Sequence, residues 1–364
     1  MHSLLCNINV TRDCNLRCTH CYISSEKKKA SGMMSEELFL SSIRSIADYL
    51  RNSDKHDAAE IHVIGGEPSM LGMEFYQRVL PKAKDILGRI EGKTASLGIV
   101  TNLVTDEALA IAKLFDVAQT SYEIDTRFPK QTLRTRWEQN VMAMIDDSRR
   151  VGRRFGITSA ITLGMVRMGV PKLMGHIVHE LGVKNVHMGF FIPTGDGKHH
   201  ARDVFPSFEQ TTSFLVNLTD WFLEHRAGDR ELHVNPVESM MHAIVEERPM
   251  DDIVCPIITG SIDIDWNGDA RTCLCAGGEK EAPMIGSVQS YSVEQIFQGM
   301  DYRREHFHAV RPRSICMRCE EYAVCQSACG VLHDSWNGEG ECPGFKGFIK
   351  HVRQVVEESA GEAA

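Results

Sequence analysis

A chain of 364 residues with 43% hydrophobic and 24% charged residues has ordinary globular composition and is long enough for two domains. The formal net charge of −9 argues against nucleic acid as a partner, because duplex binders present a basic face. No apolar run approaches the ~18 residues of a membrane helix, and Met1 to Cys6 carries no basic region or cleavage site; neither a membrane partner nor a signal peptide is expected. Apolar or β-branched runs at 4–10, 60–64, 97–101, 117–124, 157–163 and 185–192 read as strands. Helical patterns lie between them at 36–51, 74–87, 106–114, 137–150 and 171–181. Ser35 is a good N-cap followed by Glu36 and Glu37, and Pro171 suits the first turn of its helix. Such alternation with short connections implies a parallel sheet whose ligands gather at the strands' C-terminal ends.

Helical stretches at 207–226 and 236–247 then bridge to a part of different character. There, Ser261 to Asp265 alternates as a strand, Trp266-Asn267-Gly268-Asp269 makes a hairpin turn, and Ala270 to Leu274 returns. A short helix at 293–299 precedes the last cysteines, and the acidic end, Glu357 to Ala364, is expected to fray. The methionines, as at Met142 and Met144, read as packing. Arg149, Arg150, Arg153 and Arg154 read as the solvated end of a helix, with an acidic substrate group as the other possibility.

The 12 cysteines fall in two groups, Cys6 to Cys21 and Cys255 to Cys342, which points to metal or cluster ligation in a reducing cytoplasm. Cys14, Cys18 and Cys21 stand as Cys-x3-Cys-x2-Cys, one thiolate short of the four that close a [4Fe–4S] cluster. A structural zinc site is the alternative, although zinc prefers paired Cys-x2-Cys hooks with four ligands. Tyr22 follows Cys21 directly, and Gly65-Gly66-Glu67-Pro68 follows the second strand. These features together resemble the radical S-adenosylmethionine superfamily. The resemblance implies a partial (β/α)6 TIM-like barrel over residues 1–205. It also implies an open iron that holds S-adenosylmethionine, and reductive cleavage to a 5′-deoxyadenosyl radical.

By the same resemblance Gly65, Gly66 and Glu67 hold the methionine ammonium. Thr101-Asn102 and Ser121-Tyr122-Glu123-Ile124-Asp125 end the third and fourth strands, and Asn102, Glu123 and Asp125 are the polar candidates there. Thr126 stands where the family usually has glycine. Arg167 is a candidate partner for the ligand's carboxylate, with a plain surface arginine as the other reading. Pro193-Thr194-Gly195-Asp196-Gly197-Lys198 is a Gly-rich turn of the kind the family places beside adenine, and it lacks the P-loop pattern. His199 and His200 read as solvated and Cys6 as a core thiol.

Cys255-x12-Gly268-x4-Cys273 and then Cys316-x2-Cys319-x5-Cys325-x3-Cys329-x12-Cys342 resemble the SPASM extension of that superfamily, with only the last interval shorter than usual. Two auxiliary [4Fe–4S] clusters are implied. Cys316, Cys319, Cys325 and Cys342 would hold one, and Cys255, Cys273 and Cys329 the other, whose fourth position is either Cys275 or open to substrate. Zinc ribbons are the alternative. The expected divisions are a core at 1–205, a helical bridge at 206–254, the SPASM domain at 255–345 and a C-terminal helix or tail at 346–364.

The implied reaction is hydrogen abstraction from an unactivated C–H bond, first of all in maturation of a ribosomally made peptide. Modification of a sugar, nucleoside or amino acid is the second reading, and sulfatase maturation a weaker third, since Leu274 rather than aspartate follows Cys273. A non-catalytic iron–sulfur carrier is the reading from another class; the Gly-Gly-Glu run speaks against it. An electron donor such as flavodoxin or ferredoxin is expected. So is recognition of a leader peptide by a separate protein or by the barrel itself.

Overall fold

The computed structural model describes residues 2–250, 253–278 and 283–362. Strands β1 (His2–Thr11), β2 (His56–Gly65), β3 (Thr94–Val100), β4 (Val117–Thr120), β5 (Arg154–Ala160), β6 (Asn185–Gly189) and β7 (His233–Asn235) lie side by side in chain order, every pair parallel. On the other flank of β1 come β8 (Ser261–Ile264), β9 (Asp269–Arg271) and β10 (Gly286–Ser287), so the sheet has ten strands in the order β10-β9-β8-β1-β2-β3-β4-β5-β6-β7. β8 runs parallel to β1, with Asn7 beside Asp263, whereas β9 and β10 are antiparallel additions. The C-terminal hairpin is therefore built onto the barrel's first strand.

Alternation along β1 shows the layering. Leu4, Cys6, Ile8 and Val10 are fully buried in the apolar core, while Asn7, Asn9 and Thr11 form a buried polar face on the other side. Helices cover the apolar face. Helix Glu36–Asn52 starts where the Ser35 hydroxyl accepts from the Leu38 amide at 3.1 Å, and it buries Phe39, Ile43, Ile46 and Leu50 at helical spacing. Helix Gln131–Val151 buries Trp137, Val141 and Met144 and ends at Gly152, whose left-handed φ of +73° closes the last turn. Met142 on this helix is exposed, unlike Met144. Its basic end is only partly solvated, because Asp147 pairs with Arg150 at 2.6 Å and with Arg153 at 3.0 Å.

Three predicted strands overrun the observed ones at their C-terminal ends. The chain leaves the ladder after Thr120, Ala160 and Gly189 although apolar residues continue, because Tyr122, Ile161 and Phe191 bury themselves in the core or beside the site instead. The span read as a helical bridge contributes β7 to the sheet edge between helices Phe208–Arg226 and Val237–Val245. Helix Met300–Val310 has no counterpart among the predicted elements, and the C-terminal helix runs from Lys346 to Glu362.

Candidate active site

The loop after β1 carries Cys14, Cys18 and Cys21 between two anchors. Asp13 accepts from the Cys14 amide at 2.8 Å, and the Leu16 amide donates to Cys14 Sγ at 3.3 Å while its side chain is buried. Cys18 and Cys21 lie close enough to raise the proton affinity of Cys14, and Cys21 that of Cys18. Burial is the larger cause, pushing Cys14 up to about 12 and Cys18 upward. A desolvated thiolate needs a compensating cation, which iron would supply.

The end of β2 presses directly on this loop. A Cβ on Gly65 would lie 2.0 Å from the Thr11 carbonyl, and one on Gly66 would lie 2.1 Å from the Asp13 carbonyl. Only glycine permits that approach. The Gly66 and Glu67 amides donate to the Thr11 and Asp13 carbonyls, both at 2.8 Å. Glu67 is fully buried, and its carboxylate accepts from the Ser69 amide (3.0 Å), the Thr101 hydroxyl (2.6 Å) and the Asn102 amide (2.7 Å). Asn102 in turn donates to Asn15 Oδ1 at 2.6 Å, joining the end of β3 to the cysteine loop.

Glu123 is buried and wholly engaged by protein donors: the Ala160 amide at 2.9 Å, Arg127 at 2.7 Å and His20 Nε2 at 3.3 Å. Burial alone would raise its pKa. The Arg127 charge, His20 and the Ala160 amide together outweigh it and hold the carboxyl down at about 2. Thr126, the departure from the usual glycine, bonds His20 Nδ1, so both ring nitrogens of a residue inside the cysteine loop are fixed. Asp125 is the more exposed carboxylate and spans to β5's end, accepting from Thr162 at 2.7 Å and from the Gly164 amide at 3.1 Å. Arg167 sits exposed on helix Leu163–Met168. Two cations face the cysteine loop: half-buried Arg127, whose charge is felt at Cys18 and Cys14, and buried Lys28, coupled to Cys21 and Cys18. Arg127 has no motif signature; only its position four residues after Glu123, one ion-pair step, hinted at it.

Past Cys21 the chain is clamped from two sides. The Pro193–Lys198 segment forms a short helix, Gly195–His199, rather than a simple turn. The Gly197 amide donates to the Cys21 carbonyl at 2.9 Å, and Asp196 accepts from Ser25 and, at 2.7 Å, from buried Lys28. His199 and His200 are exposed. From the other side, the Ser24 amide donates to the Gly278 carbonyl at 3.1 Å, and a Cβ on Gly278 would lie 2.2 Å from the Tyr22 carbonyl. Below the loop, fully buried Arg12 bonds Asp263 at 3.1 Å and Asp265 at 2.9 Å, and Lys27 adds a pair to Asp265 at 3.0 Å. The hairpin that leads into Cys273 is thus bolted to the residue two places before Cys14.

The remaining cysteines sort into two neighbourhoods by mutual electrostatic influence. Cys255, Cys273, Cys275 and Cys329 form one; Cys316, Cys319, Cys325 and Cys342 form the other. In the first, the Cys275 thiol donates to Cys273, which lowers the proton affinity of Cys273 and raises that of Cys275. In the second, Gly344 lies between Cys325 and Cys342, its hypothetical Cβ 3.2 and 3.7 Å from the two sulfurs. Cys6 is fully buried in the core. Among the described residues no three His, Cys, Asp or Glu side chains converge as a single-ion site would require. Three separate neighbourhoods of three or four thiols, with backbone amides donating to sulfur, suit the several metal corners of cubane clusters.

Comparison with known proteins agrees with this geometry. The profile of the radical SAM superfamily matches residues 8–165, and that of an iron–sulfur cluster-binding domain, SPASM, matches residues 255–329. A cysteine-type anaerobic sulfatase-maturating enzyme of Clostridium perfringens (strain 13 / Type A) is 18% identical over 358 residues, 93% of each chain. An S-adenosylmethionine-dependent nucleotide dehydratase of Pseudoalteromonas ulvae is 31% identical over 88 residues, covering 22% of this chain and 29% of that one. Among solved structures, native anSMEcpe with bound AdoMet and Kp18Cys peptide superposes with a TM-score of 0.77 at 17% identity, covering 99% of both chains. Streptococcus suis SuiB bound to precursor peptide SuiA superposes with a TM-score of 0.60 at 13% identity, covering 94% of this chain and 74% of that one.

Proposed function

The chain belongs to the radical SAM superfamily, is an enzyme of that class and carries the SPASM extension, and from this premise we propose that it modifies a peptide by abstracting hydrogen from one of its C–H bonds. The observation that carries the proposal is the joint between the two cysteine regions: Arg12 on Asp263 and Asp265, and Gly278 on Tyr22. It supports the reading because the N-terminal cysteine loop and the segment that carries Cys273 and Cys275 meet there. The peptide reading is supported by the relatives: anSMEcpe is described with a bound Cys peptide and SuiB with a precursor peptide.

Cys14, Cys18 and Cys21 would hold a [4Fe–4S] cluster, which with S-adenosylmethionine bound supplies a 5′-deoxyadenosyl radical on one-electron reduction. Around it, the Gly65 and Gly66 backbone offers carbonyls to the methionine ammonium, and Glu67 sets their position by gripping the ends of β2 and β3. Asn102 fixes the cysteine loop, Asp125 would be the carboxylate that meets a ribose, and Arg127 brings positive charge to the cysteine loop. Cys255, Cys273, Cys275 and Cys329 would close one auxiliary cluster and Cys316, Cys319, Cys325 and Cys342 the other. Their role would be to relay single electrons between the substrate and an external carrier.

The test is isotopic. With S-adenosylmethionine and dithionite, a deuterated peptide pool should transfer deuterium into 5′-deoxyadenosine. Transfer from a deuterated pool of sugars, nucleosides and amino acids, with none from peptides, would overturn the peptide reading.

A further inference from the structure

Helix Met300–Val310 is amphipathic the wrong way round. Tyr302 is its one buried side chain, packed on Phe297 at 4.6 Å between ring centres. The opposite face carries Met300, Phe307 and Val310, which are 86, 60 and 38% exposed. With Arg303 these residues follow the i, i+3, i+7, i+10 spacing of one helix face, so the apolar stripe points to solvent. The chain then continues through exposed Arg311 and Arg313 to Ile315 and Met317, 57 and 67% exposed, on either side of Cys316. Arg313 ties this loop to the segment after Cys329 by donating to the Gly330 carbonyl at 3.1 Å and to Asp334 at 3.3 Å.

Charge sharpens the feature. Residues 303–318 hold five arginines (303, 304, 311, 313 and 318) and one carboxylate, Glu305, in a chain whose net charge is −9. Next along, Glu320 is neutralised by Lys346 at 3.0 Å and Lys350 at 2.7 Å. An exposed apolar stripe rimmed by cations marks an interaction surface rather than ordinary solvated helix. The exposed stretch runs on into Ile315, Met317 and Arg318, which flank Cys316 and Cys319, so a partner seated there would meet the loop that carries those two sulfurs.

We propose that this face is the docking site of a small acidic one-electron carrier protein. Charge complementarity selects the acidic partner, and the continuation of the face into the exposed loop that carries Cys316 and Cys319 selects a redox one. The carrier's reduced centre gives up one electron and the cluster held by Cys316, Cys319, Cys325 and Cys342 takes it; no bond forms or breaks. The proposal rests on those four cysteines holding a cluster.

The experiment follows cluster reduction by flavodoxin hydroquinone in anaerobic stopped flow, using fully reconstituted chain. The wild-type rate should fall with added salt, and R303E/R311E/R318E should lose about tenfold or more of it together with the salt dependence. Reduction by dithionite should not change. Redox-inactive apoflavodoxin should compete in the wild-type chain, a check that needs no variant. Equal rates in both chains, or a wild-type rate indifferent to salt and to apoflavodoxin, would overturn the docking site. So would loss of peptide turnover with dithionite at an unchanged flavodoxin rate, since the face would then bind substrate. An iron content of only about four per chain, one cluster's worth, would instead remove the cluster beneath it, and the iron assay distinguishes that outcome from the others.

Discussion

Glu123 shows how a single buried carboxylate can organise the surroundings of the cysteine loop. Its two oxygens hold His20, Arg127 and the Ala160 amide, which ties the cysteine loop to the ends of β4 and β5. Its folded pKa of about 2 lies below the ordinary 4.5, so the ionised form stabilises the fold above pH 4.5. That contribution is lost as pH falls from about 4.5 towards 2. A shift of this size corresponds to roughly 3 kcal/mol at most. Glu123→Gln should therefore lower the denaturation midpoint of metal-free protein at pH 7, with the gap to wild type closing on acidification. Parallel curves would mean the ion pairs contribute nothing. Cys275 poses the other question at this scale. Hydrogen-bonded to Cys273 and close to Cys329, it is the candidate fourth thiolate. Cys275→Ala should abolish or spectrally alter one auxiliary cluster and reduce product formation more than S-adenosylmethionine cleavage. An unchanged spectrum would leave that cluster open to substrate.

At the scale of elements, the contact of β2's end with the cysteine loop depends on two missing Cβ atoms. In Gly66→Ala the added carbon would meet the backbone carbonyls of Asp13 and Arg12 at 2.1 and 2.4 Å, and backbone cannot step aside as a side chain can. The variant should lose about 1–3 kcal/mol of stability and bind S-adenosylmethionine weakly while retaining much of its iron. Unchanged affinity by calorimetry would make the glycine pair a simple turn. The strands themselves were legible because parallel, doubly covered strands read as apolar runs, and the helices because Ser35 and the Phe39–Leu50 stripe mark start and face. What the sequence hid lies where the rules change. Strand ends at Thr120, Ala160 and Gly189 stay apolar after leaving the ladder. β7 has three residues, too few for a pattern, and helix Met300–Val310 turns its apolar residues outward. Arg127 and His20 became visible only when folding brought them to Glu123, whereas Arg167, chosen by position in the chain, lies exposed.

Over the whole molecule, one sheet carries both cysteine regions, since β8 pairs directly with β1. The barrel and the SPASM hairpin share buried charges as well as strands, through Arg12, Asp263 and Asp265. No helix among the described residues is long and apolar enough to cross a membrane. The central claim is that three thiol neighbourhoods hold three clusters, of which only the N-terminal one activates S-adenosylmethionine. The direct measurement is iron content together with 5′-deoxyadenosine production, in reconstituted wild type and in the C14A/C18A/C21A variant. Wild type should carry about twelve irons and produce 5′-deoxyadenosine with dithionite; the variant should keep about eight irons and produce none. Cleavage of S-adenosylmethionine by the variant, or about four irons with stoichiometric zinc in the wild type, would contradict the account.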